Sequence, residues 1–424
     1  AACRTEQGLS KASLEHYLKV CGKQFSKLLS SQQVQAEADR VWCGVERCLF
    51  GNGKELHFKK LMDFDTIGGK SNKNGARFDL DAMYVNWLGL SLKCYLPKSE
   101  NSLSYVWESL KGKISYCNIK RLMFSSGWRY YAEIVVSGDA PTRVLIGTST
   151  MGIDPGVSTI AGVSEDACVL EELAPNAIQY EKKIQKISQS MDRSRRISNP
   201  NKYNEDGTIN RSNRDPWKYS KNYVKMCRLL KSLYRKKHAY IVDSHRKLCN
   251  KLITIARYFP VEKMHFQALQ KRAKETKRQE KKTEVKQKDG TVKVIQKYKR
   301  KKRFGRSINR RAPARFLLEL KRKAEAVGGV YAEVDTKEFK ASQYNHVTDT
   351  YEKIPLSQRE KEIGKRKVQR DLYSAFLIRN ADLDFKHPDR EKCEYEFEHF
   401  ANLQDQLILK MKESGLSMRQ CFGF

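Results

Sequence analysis

The order of strand-like and helix-like segments in the second half of this 424-residue chain is the feature that most constrains its fold. Short apolar runs bounded by Gly, Pro and polar residues predict strands, and apolar residues spaced three and four apart predict helices. These patterns place strands at 143–154, 158–163, 167–173, 258–266 and 329–334, and helices at 219–257, 312–326 and 365–380. An antiparallel meander followed by helices and strands in alternation predicts an α+β chain with a mixed sheet.

Three acidic residues occupy distinctive places in this order. Asp154 closes the first strand, and the Pro-Gly turn that follows leaves a carboxylate exposed at the strand end. Glu262 ends a later strand and Asp371 lies in the first half of the last predicted helix, so the separations are 108 and 109 residues (262 minus 154, 371 minus 262). Taken singly, each residue has an ordinary explanation: Asp154 belongs to a turn, Glu262 is a surface acid and Asp371 forms an ion pair. The order of all three along the chain is more specific evidence for a functional site.

One early, one central and one late acid in a mixed sheet is the outline of a metal-dependent nuclease of the RNase H type. Phosphodiester hydrolysis by two metal ions needs acidic oxygens that hold hard cations roughly 3.5–4 Å apart. Mg²⁺ accepts few protein carboxylates and keeps several waters, so three acids from distant segments suffice.

The N-terminal part of the chain has a different character. Residues 9–50 carry apolar positions at helical spacing and predict a small helical unit. From residue 57 to about 136, short β-type runs are broken by Gly, Asn and Ser, which predicts a small barrel or sheet.

The charge of the chain points to a polyanionic partner. Lys and Arg number 82 against 49 Asp and Glu, a net charge of +33, and nucleic acid is the leading candidate. The most basic stretch, 271–310, has 18 Lys or Arg against 4 acids and is a predicted nucleic-acid contact. Its candidate contact residues are Lys281, Lys282, Lys299, Lys301 and Arg303. A solvated charged hairpin or helix pair is the alternative, and it does not explain the one-sided charge.

Composition also excludes several classes of protein. No stretch approaches the ~18 apolar residues of a membrane span, and the N-terminus lacks a signal-peptide pattern. The eleven cysteines include no C-x-x-C pair, which favours reduced thiols over a disulfide framework or zinc ribbon. These features predict a soluble intracellular protein that is not associated with a membrane.

The sequence around the three acids resembles that of TnpB, the RNA-guided nucleases of transposons, and of the related compact type V CRISPR effectors. Met151-Gly-Ile-Asp-Pro-Gly-Val-Ser158 is similar to the first RuvC motif of that family, and Val261-Glu-Lys-Met264 is similar to the second. Arg370-Asp-Leu-Tyr-Ser-Ala375 resembles the third, which is usually Arg-Asp-x-Asn-Ala-Ala. The likeness extends from about residue 55 to 382, including a Ser-Gln segment at 340–343.

This resemblance implies an RNA-guided DNA endonuclease whose partners are a structured guide RNA and target DNA. Asp154, Glu262 and Asp371 are the implied ligands of two Mg²⁺ ions, for which Mn²⁺ can substitute. The implied layout is a wedge-type β-barrel with a helical recognition segment at 1–142, a split RuvC-like domain of RNase H-like fold at 143–382 and a polar tail at 383–424. A transposon or a CRISPR array could supply the guide, and one or two copies of the protein could hold it.

One departure from the family concerns zinc. Relatives place a four-cysteine zinc ribbon before the third motif, whereas residues 342–371 contain no cysteine. We therefore expect no structural zinc here. Tyr373 and Ser374, in place of the usual Asn-Ala, also alter the surroundings of Asp371.

Two alternative functions stay open at this point. A guide-directed binding protein or repressor needs the basic surface but not the acids, and the retained triad argues against it. A guide-free resolvase or RNase shares the fold class, but such a nuclease has no need of the long N-terminal part.

Overall fold

The computed structural model describes residues 8–51, 53, 55–59, 63–205, 207–270, 278–286, 292–298, 304–355 and 357–416. The chain falls into two compact units, one made of Ala1–Thr142 with Met191–Ser232 and the other of Arg143–Ser190 with Leu233–Phe424. Each unit has its own hydrophobic core. The sequence does not indicate that 191–232 groups with the N-terminal segment. No described helix is long and apolar enough to cross a membrane.

The N-terminal unit begins with two helices, α1 (Lys11–Gly22) and α2 (Ser31–Phe50), as the apolar spacing predicts. Each begins at a capping box, in which the side chain of Ser10 or Ser30 accepts a backbone N–H from the first turn. The reciprocal bond from the cap backbone satisfies a second amide group, which fixes where each helix starts.

Six strands and one further α-helix follow in the described part of residues 51–142. They are β1 (Thr66–Gly68), β2 (Arg77–Asp79), β3 (Tyr84–Trp87), β4 (Leu90–Lys93), α3 (Glu100–Leu110), β5 (Ile114–Phe124) and β6 (Gly127–Val136). Two antiparallel sheets form, with the orders β1-β5-β6 and β2-β3-β4. Phe78, Val85 and Cys117 lie in their shared core. A closed wedge-type barrel stays a prediction.

The C-terminal unit is built on a six-stranded mixed sheet. Its strands are β7 (Ser149–Thr150), β8 (Gly152–Pro155), β9 (Thr159–Val163), β10 (Cys168–Glu172), β11 (Ala256–Glu262) and β14 (Val330–Val334). The order is β10-β9-β8-β11-β14, with β7 paired to β11. Strands β8, β9 and β10 form the predicted antiparallel meander, and β8, β11 and β14 run parallel.

Helices and three small hairpins complete this part of the chain. The helices are α4 (Ala177–Ser198), α5 (Lys221–Ile255), α6 (Phe266–Gln270), α7 (Gly305–Arg311), α8 (Pro313–Ala326), α9 (Thr336–Phe339), α10 (Arg370–Arg379) and α11 (Arg390–Glu413). The hairpins pair β12 (Arg278–Lys286) with β13 (Val292–Tyr298), β15 (Tyr344–Asn345) with β16 (Thr350–Tyr351), and β17 (Glu360–Ile363) with β18 (Arg366–Gln369).

The mixed sheet is buried on both faces. On one face, Ile153 and Phe259 of the strands pack against Leu252 of α5 and Phe316 of α8. Another cluster joins strand residues to Phe376 of α10 and to the aromatic residues of α11. This covering by helices explains the continuous apolar run at 258–261 in the central strand β11.

Three sets of sequence-based expectations need correction. The strand expected at 143–154 is confined to the short strands β7 and β8, and the strand expected at 258–266 ends at Glu262. The helix expected at 365–380 begins only at Arg370, because 366–369 pair with β17 as a strand.

The third correction concerns 383–424, which is not simply a polar tail. Within it, α11 buries one face that carries Cys393, Phe397, Phe400, Ala401, Gln404, Ile408 and Met411. Steps of three or four residues separate most of them, and the many charged residues between them hide the pattern. Residues 417–424 lie outside the described part of the chain.

Candidate active site

Strand register brings Asp154 and Glu262 together. They lie near the carboxyl ends of the parallel strands β8 and β11, where Ile153 pairs with Val261. Because side chains alternate between the faces of a strand, the next residue on each strand projects from the face opposite to Ile153 and Val261. Ile153 and Val261 are buried in the core behind them. Two carboxyl groups that are distant in sequence thus become neighbours.

Asp371 approaches the same place from helix α10. The backbone of α10 at Ala375 lies directly against Gly152 of β8, which shares its face of the strand with Asp154. Asp371 is in the first turn of the helix, where the helix dipole favours a negative charge. The Gln369 side chain caps this helix by accepting the N–H of Leu372 at 2.7 Å.

Arginine and glutamine side chains surround the Asp371 carboxylate. Arg370 Nη2 lies 3.3 Å from Oδ1, Arg359 Nη1 lies 3.5 Å from Oδ2, and Gln369 Nε2 donates to Oδ2 at 3.3 Å. Arg370 is buried and also donates to the carbonyl oxygen of Gln358 at 3.1 Å, whereas the Arg359 side chain is half exposed. Arg370 is therefore held in place by its surroundings, whereas Arg359 can move away from Asp371 into solvent.

Burial acts on the carboxyl groups of both Asp154 and Glu262. Burial raises the pKa of the Asp154 carboxyl well above its usual value, and the charges of Glu262 and Asp371 raise it further. Burial also raises the pKa of Glu262, against the lowering effect of hydrogen bonds with Asp154 and Thr336. Protonation of one of the two carboxyl groups would relieve the repulsion between them.

A divalent cation would relieve the same repulsion. The carboxyl groups supply hard oxygen ligands of the kind that Mg²⁺ and Mn²⁺ prefer, and two of them are already in contact. Among the described residues, no three His, Cys, Asp or Glu side chains lie close enough together to hold one ion as they stand. The donor set fits a divalent metal, and Asp371 would have to exchange its arginine contacts for it.

Residues other than acids also surround the three carboxyl groups. The sequence indicates Arg370, since it directly precedes Asp371 in the third motif. Thr336 and Arg359 have no such signal, because Thr336 reaches Glu262 from the start of α9 and Arg359 comes from a polar loop without periodicity.

Tyr373, the departure from the third motif, is a fully buried core residue. Its hydroxyl accepts the backbone N–H of His346 at 3.2 Å and lies 2.8 Å from His346 Nδ1, to which it can donate. The bond therefore joins hairpin β15-β16 to the helix that carries Asp371. Ser374, the second departure, donates to the carbonyl oxygen of Arg370 at 3.0 Å inside the same helix.

The described residues of the segment 342–371, where the resemblance leads one to expect a zinc ribbon, contain the two hairpins β15-β16 and β17-β18. The nine cysteines in the described part of the chain are free thiols. The expected absence of structural zinc stays a prediction.

The basic stretch contains the β12-β13 hairpin. Lys281 and Lys282 lie in β12, and nothing is described of their side chains. Lys299, Lys301 and Arg303 lie outside the described residues. All five stay predicted nucleic-acid contacts.

Comparison with known proteins gives a structural likeness only. No family model matches the sequence, and no curated protein matches it. A chain in the "Cryo-EM structure of the Cas12f1-sgRNA-target DNA complex" is similar with a TM-score of 0.51 at 12% identity, over 89% of this chain and 77% of that one. This chain has the fold of Cas12f1. Another chain, in the "Cryo-EM structure of CRISPR-Cas12f Ternary Complex", matches at 13% identity over 90% of this chain and 75% of that one, with a TM-score of 0.31.

The expected resemblance to compact type V effectors is thereby confirmed at the level of fold. The mixed α+β class is confirmed as well, by the sheets described above. The closer link to TnpB and to transposons stays a prediction.

Proposed function

We propose that this chain is an RNA-guided DNA endonuclease with a RuvC-type nuclease domain. The observation that carries the proposal is the convergence of Asp154, Glu262 and Asp371, which come from three distant segments, at one edge of the mixed sheet. The order β10-β9-β8-β11-β14, antiparallel on one side and parallel on the other, supports an RNase H-like arrangement. The fold shared with Cas12f1 adds support for the class.

In this proposal the three acids hold two Mg²⁺ ions. Asp154 would be the shared ligand, because the charges of both Glu262 and Asp371 act on its carboxyl group. The bound ions would supply an activated water and stabilise the leaving oxygen of the phosphodiester. We assign no protein general base, since this chemistry does not need one.

The N-terminal segment and the basic stretch would hold the nucleic acids. A net charge of +33 suits recognition of a structured RNA by its shape and phosphates. Reversing the charge of Lys281, Lys282, Lys299, Lys301 and Arg303 should weaken RNA binding and flatten its salt dependence, because each lost phosphate contact lowers the slope by roughly 0.7–0.9. An unchanged slope of log affinity against log salt would contradict this assignment.

A purification tests the proposal most directly. The chain is isolated from its native host, the RNA that accompanies it is sequenced, and DNA matching that RNA is incubated with the complex and Mg²⁺. We expect one discrete structured RNA and cleavage of matched DNA only. Protein that carries no specific RNA would contradict the guided function, and cleavage of unmatched DNA at the same rate would favour a guide-free nuclease.

A second candidate is a guide-directed binding protein that does not cut. The observation that favours it is the engagement of Asp371 with Arg359 and Arg370, which leaves the third acid apart from a metal-binding arrangement. Binding of matched DNA without any cleavage in Mg²⁺ or Mn²⁺ would replace the nuclease by this candidate.

A further inference from the structure

Strand β8 and helix α10 meet at a glycine with no space for a side chain. A Cβ atom at Gly152 would lie 2.2 Å from the carbonyl oxygen of Ala375, 2.3 Å from the amide nitrogen of Arg379 and 2.8 Å from its Cα. These are backbone atoms, which cannot rotate away as the end of a flexible side chain can. Any side chain at position 152 must therefore push the helix away from the strand.

This contact is placed where it controls the distance between two of the acids. Gly152 precedes Asp154 by two residues on the same face of β8, and Ala375 follows Asp371 by four residues, about one turn, in α10. The far end of the helix is anchored, because Arg379 makes two bonds to the Glu396 carboxylate, at 2.7 and 3.2 Å. A side chain at position 152 would push on the backbone at both Ala375 and Arg379, against this anchor, and would thereby displace the helix that carries Asp371.

We propose that Gly152 is a positioning residue. Its lack of a side chain lets α10 pack closely on β8, which sets the distance between the carboxyl groups of Asp371 and Asp154 and thereby the affinity of the site for divalent metal. This inference rests on the proposed function, since it concerns the same three acids. Gly152 touches neither metal nor substrate in this role and acts only through the seat of α10 on β8.

Two other glycines provide controls. At Gly147 a Cβ would lie 2.2 Å from the carbonyl carbon and oxygen of Ile255, which is equal crowding at a contact that does not involve α10. At Gly162 it would lie 3.1 Å from the thioether sulfur of Met151, a flexible side chain that can move. Gly147→Ala thus introduces a steric clash as severe as that of Gly152→Ala, and Gly162→Ala introduces only a weak one.

The test is a titration of the full chain, free of nucleic acid, with Mn²⁺ followed by electron paramagnetic resonance. The Asp154→Ala variant identifies the binding that belongs to the triad. We expect Gly152→Ala to weaken this binding by about 10–100-fold, as supporting residues of metal sites do, and Gly147→Ala and Gly162→Ala to stay near wild type. Equal losses in Gly152→Ala and Gly147→Ala, or wild-type affinity in Gly152→Ala, would overturn the inference.

A change in the length of the acid tests the same spacing in the opposite direction. Asp371→Glu adds one methylene, so it should weaken Mn²⁺ binding in the wild-type background and partly restore it in the Gly152→Ala background. If Gly152→Ala does not fold, Asp371→Glu alone decides, and unchanged affinity in that variant overturns the inference. Absence of any Asp154-dependent Mn²⁺ binding in the wild-type chain would instead count against the proposed function, and the role of Gly152 would fall with it.

Discussion

The acids carried by strands and the acid carried by a helix are held in different ways. Asp154 and Glu262 are neighbours because of the register of β8 and β11, and burial together with the charge of Glu262 raises the pKa of Asp154. Asp371 depends on how α10 is seated, and its charge is met by Arg359 and Arg370. The sheet therefore supplies a rigid half of the site and the helix an adjustable half.

Loss of the strand-borne half should have the largest effect. Asp154→Ala removes the carboxyl that both other acids influence and should abolish Mg²⁺-dependent cleavage of guide-matched DNA, a loss of at least about 100-fold. Affinity for the guide RNA, which depends on many phosphate contacts, should hardly change. Single-turnover cleavage and RNA binding measured on the same preparation check both points.

A neighbouring acid provides the control for this prediction. Glu333 lies on the adjacent parallel strand and pairs with Lys263 at 3.1 Å, so Glu333→Ala should cut at the wild-type rate. Glu262→Ala and Asp371→Ala should both behave like Asp154→Ala. Near wild-type cleavage by Asp154→Ala would refute the assignment of the triad.

The packing of α10, which carries Asp371, can be weakened without a change to any of the three acids. Tyr373→Phe removes a buried hydroxyl and leaves the backbone N–H and the Nδ1 of His346 without this partner. The expected cost is about 1–3 kcal/mol in the free energy of unfolding, measured in urea. Tyr130→Phe, at an exposed tyrosine of β6, should cost almost nothing. A neutral effect at Tyr373 would mean that this bond does not hold the hairpin on α10.

How much of this arrangement can be predicted from sequence differs between the two halves. The strands Thr159–Val163, Cys168–Glu172 and Val330–Val334 agree with prediction to within one or two residues, because both flanks carry turn residues and the runs are apolar. The positions of Asp154 and Glu262 at strand ends follow from the same local signals.

The helix-borne half is harder to predict. Residues 366–369 are strand rather than helix only because they pair with β17, a contact that local propensity does not encode. The approach of Arg359 to Asp371 and the burial of α11 likewise depend on packing between distant segments. Motif order alone indicates that Asp371 belongs with the other two acids.

Acid should weaken the cores behind both halves. His245 packs edge-on against Phe316 on one face of the sheet, and His346 packs against the aromatic residues of α10 and α11. Burial lowers the pKa of each imidazole to about 4, whereas the unfolded chain has the usual value of about 6.5. The unfolded state binds more protons between these values, so stability should be full above pH 6.5 and fall as pH drops to 4.

One variant isolates the contribution of His346 to this pH dependence. Melting temperatures across the range should fall less steeply in His346→Gln than in wild type, and His57→Gln, at an exposed histidine, should keep the wild-type slope. At neutral pH the histidines are uncharged in the folded protein. The change in melting temperature that a substitution causes at neutral pH is therefore subtracted from its change at each lower pH. Identical slopes in all three proteins would show that His346 does not contribute to acid stability.

The smallest expected effect concerns the two arginines beside Asp371. Arg370 is buried and held by backbone carbonyls, but the half-exposed Arg359 forms one ion pair, at 3.5 Å. Exposed pairs contribute about 0.2–1 kcal/mol, so Arg359 should compete only weakly with a metal ion for this carboxylate. Arg359→Gln should lower the Mg²⁺ concentration for half-maximal cleavage, and raise Mn²⁺ affinity, by at most about fivefold. If the variant instead needs more Mg²⁺, Arg359 supports the metal site or the substrate rather than competing with the metal, and the adjustable half of the site lies elsewhere.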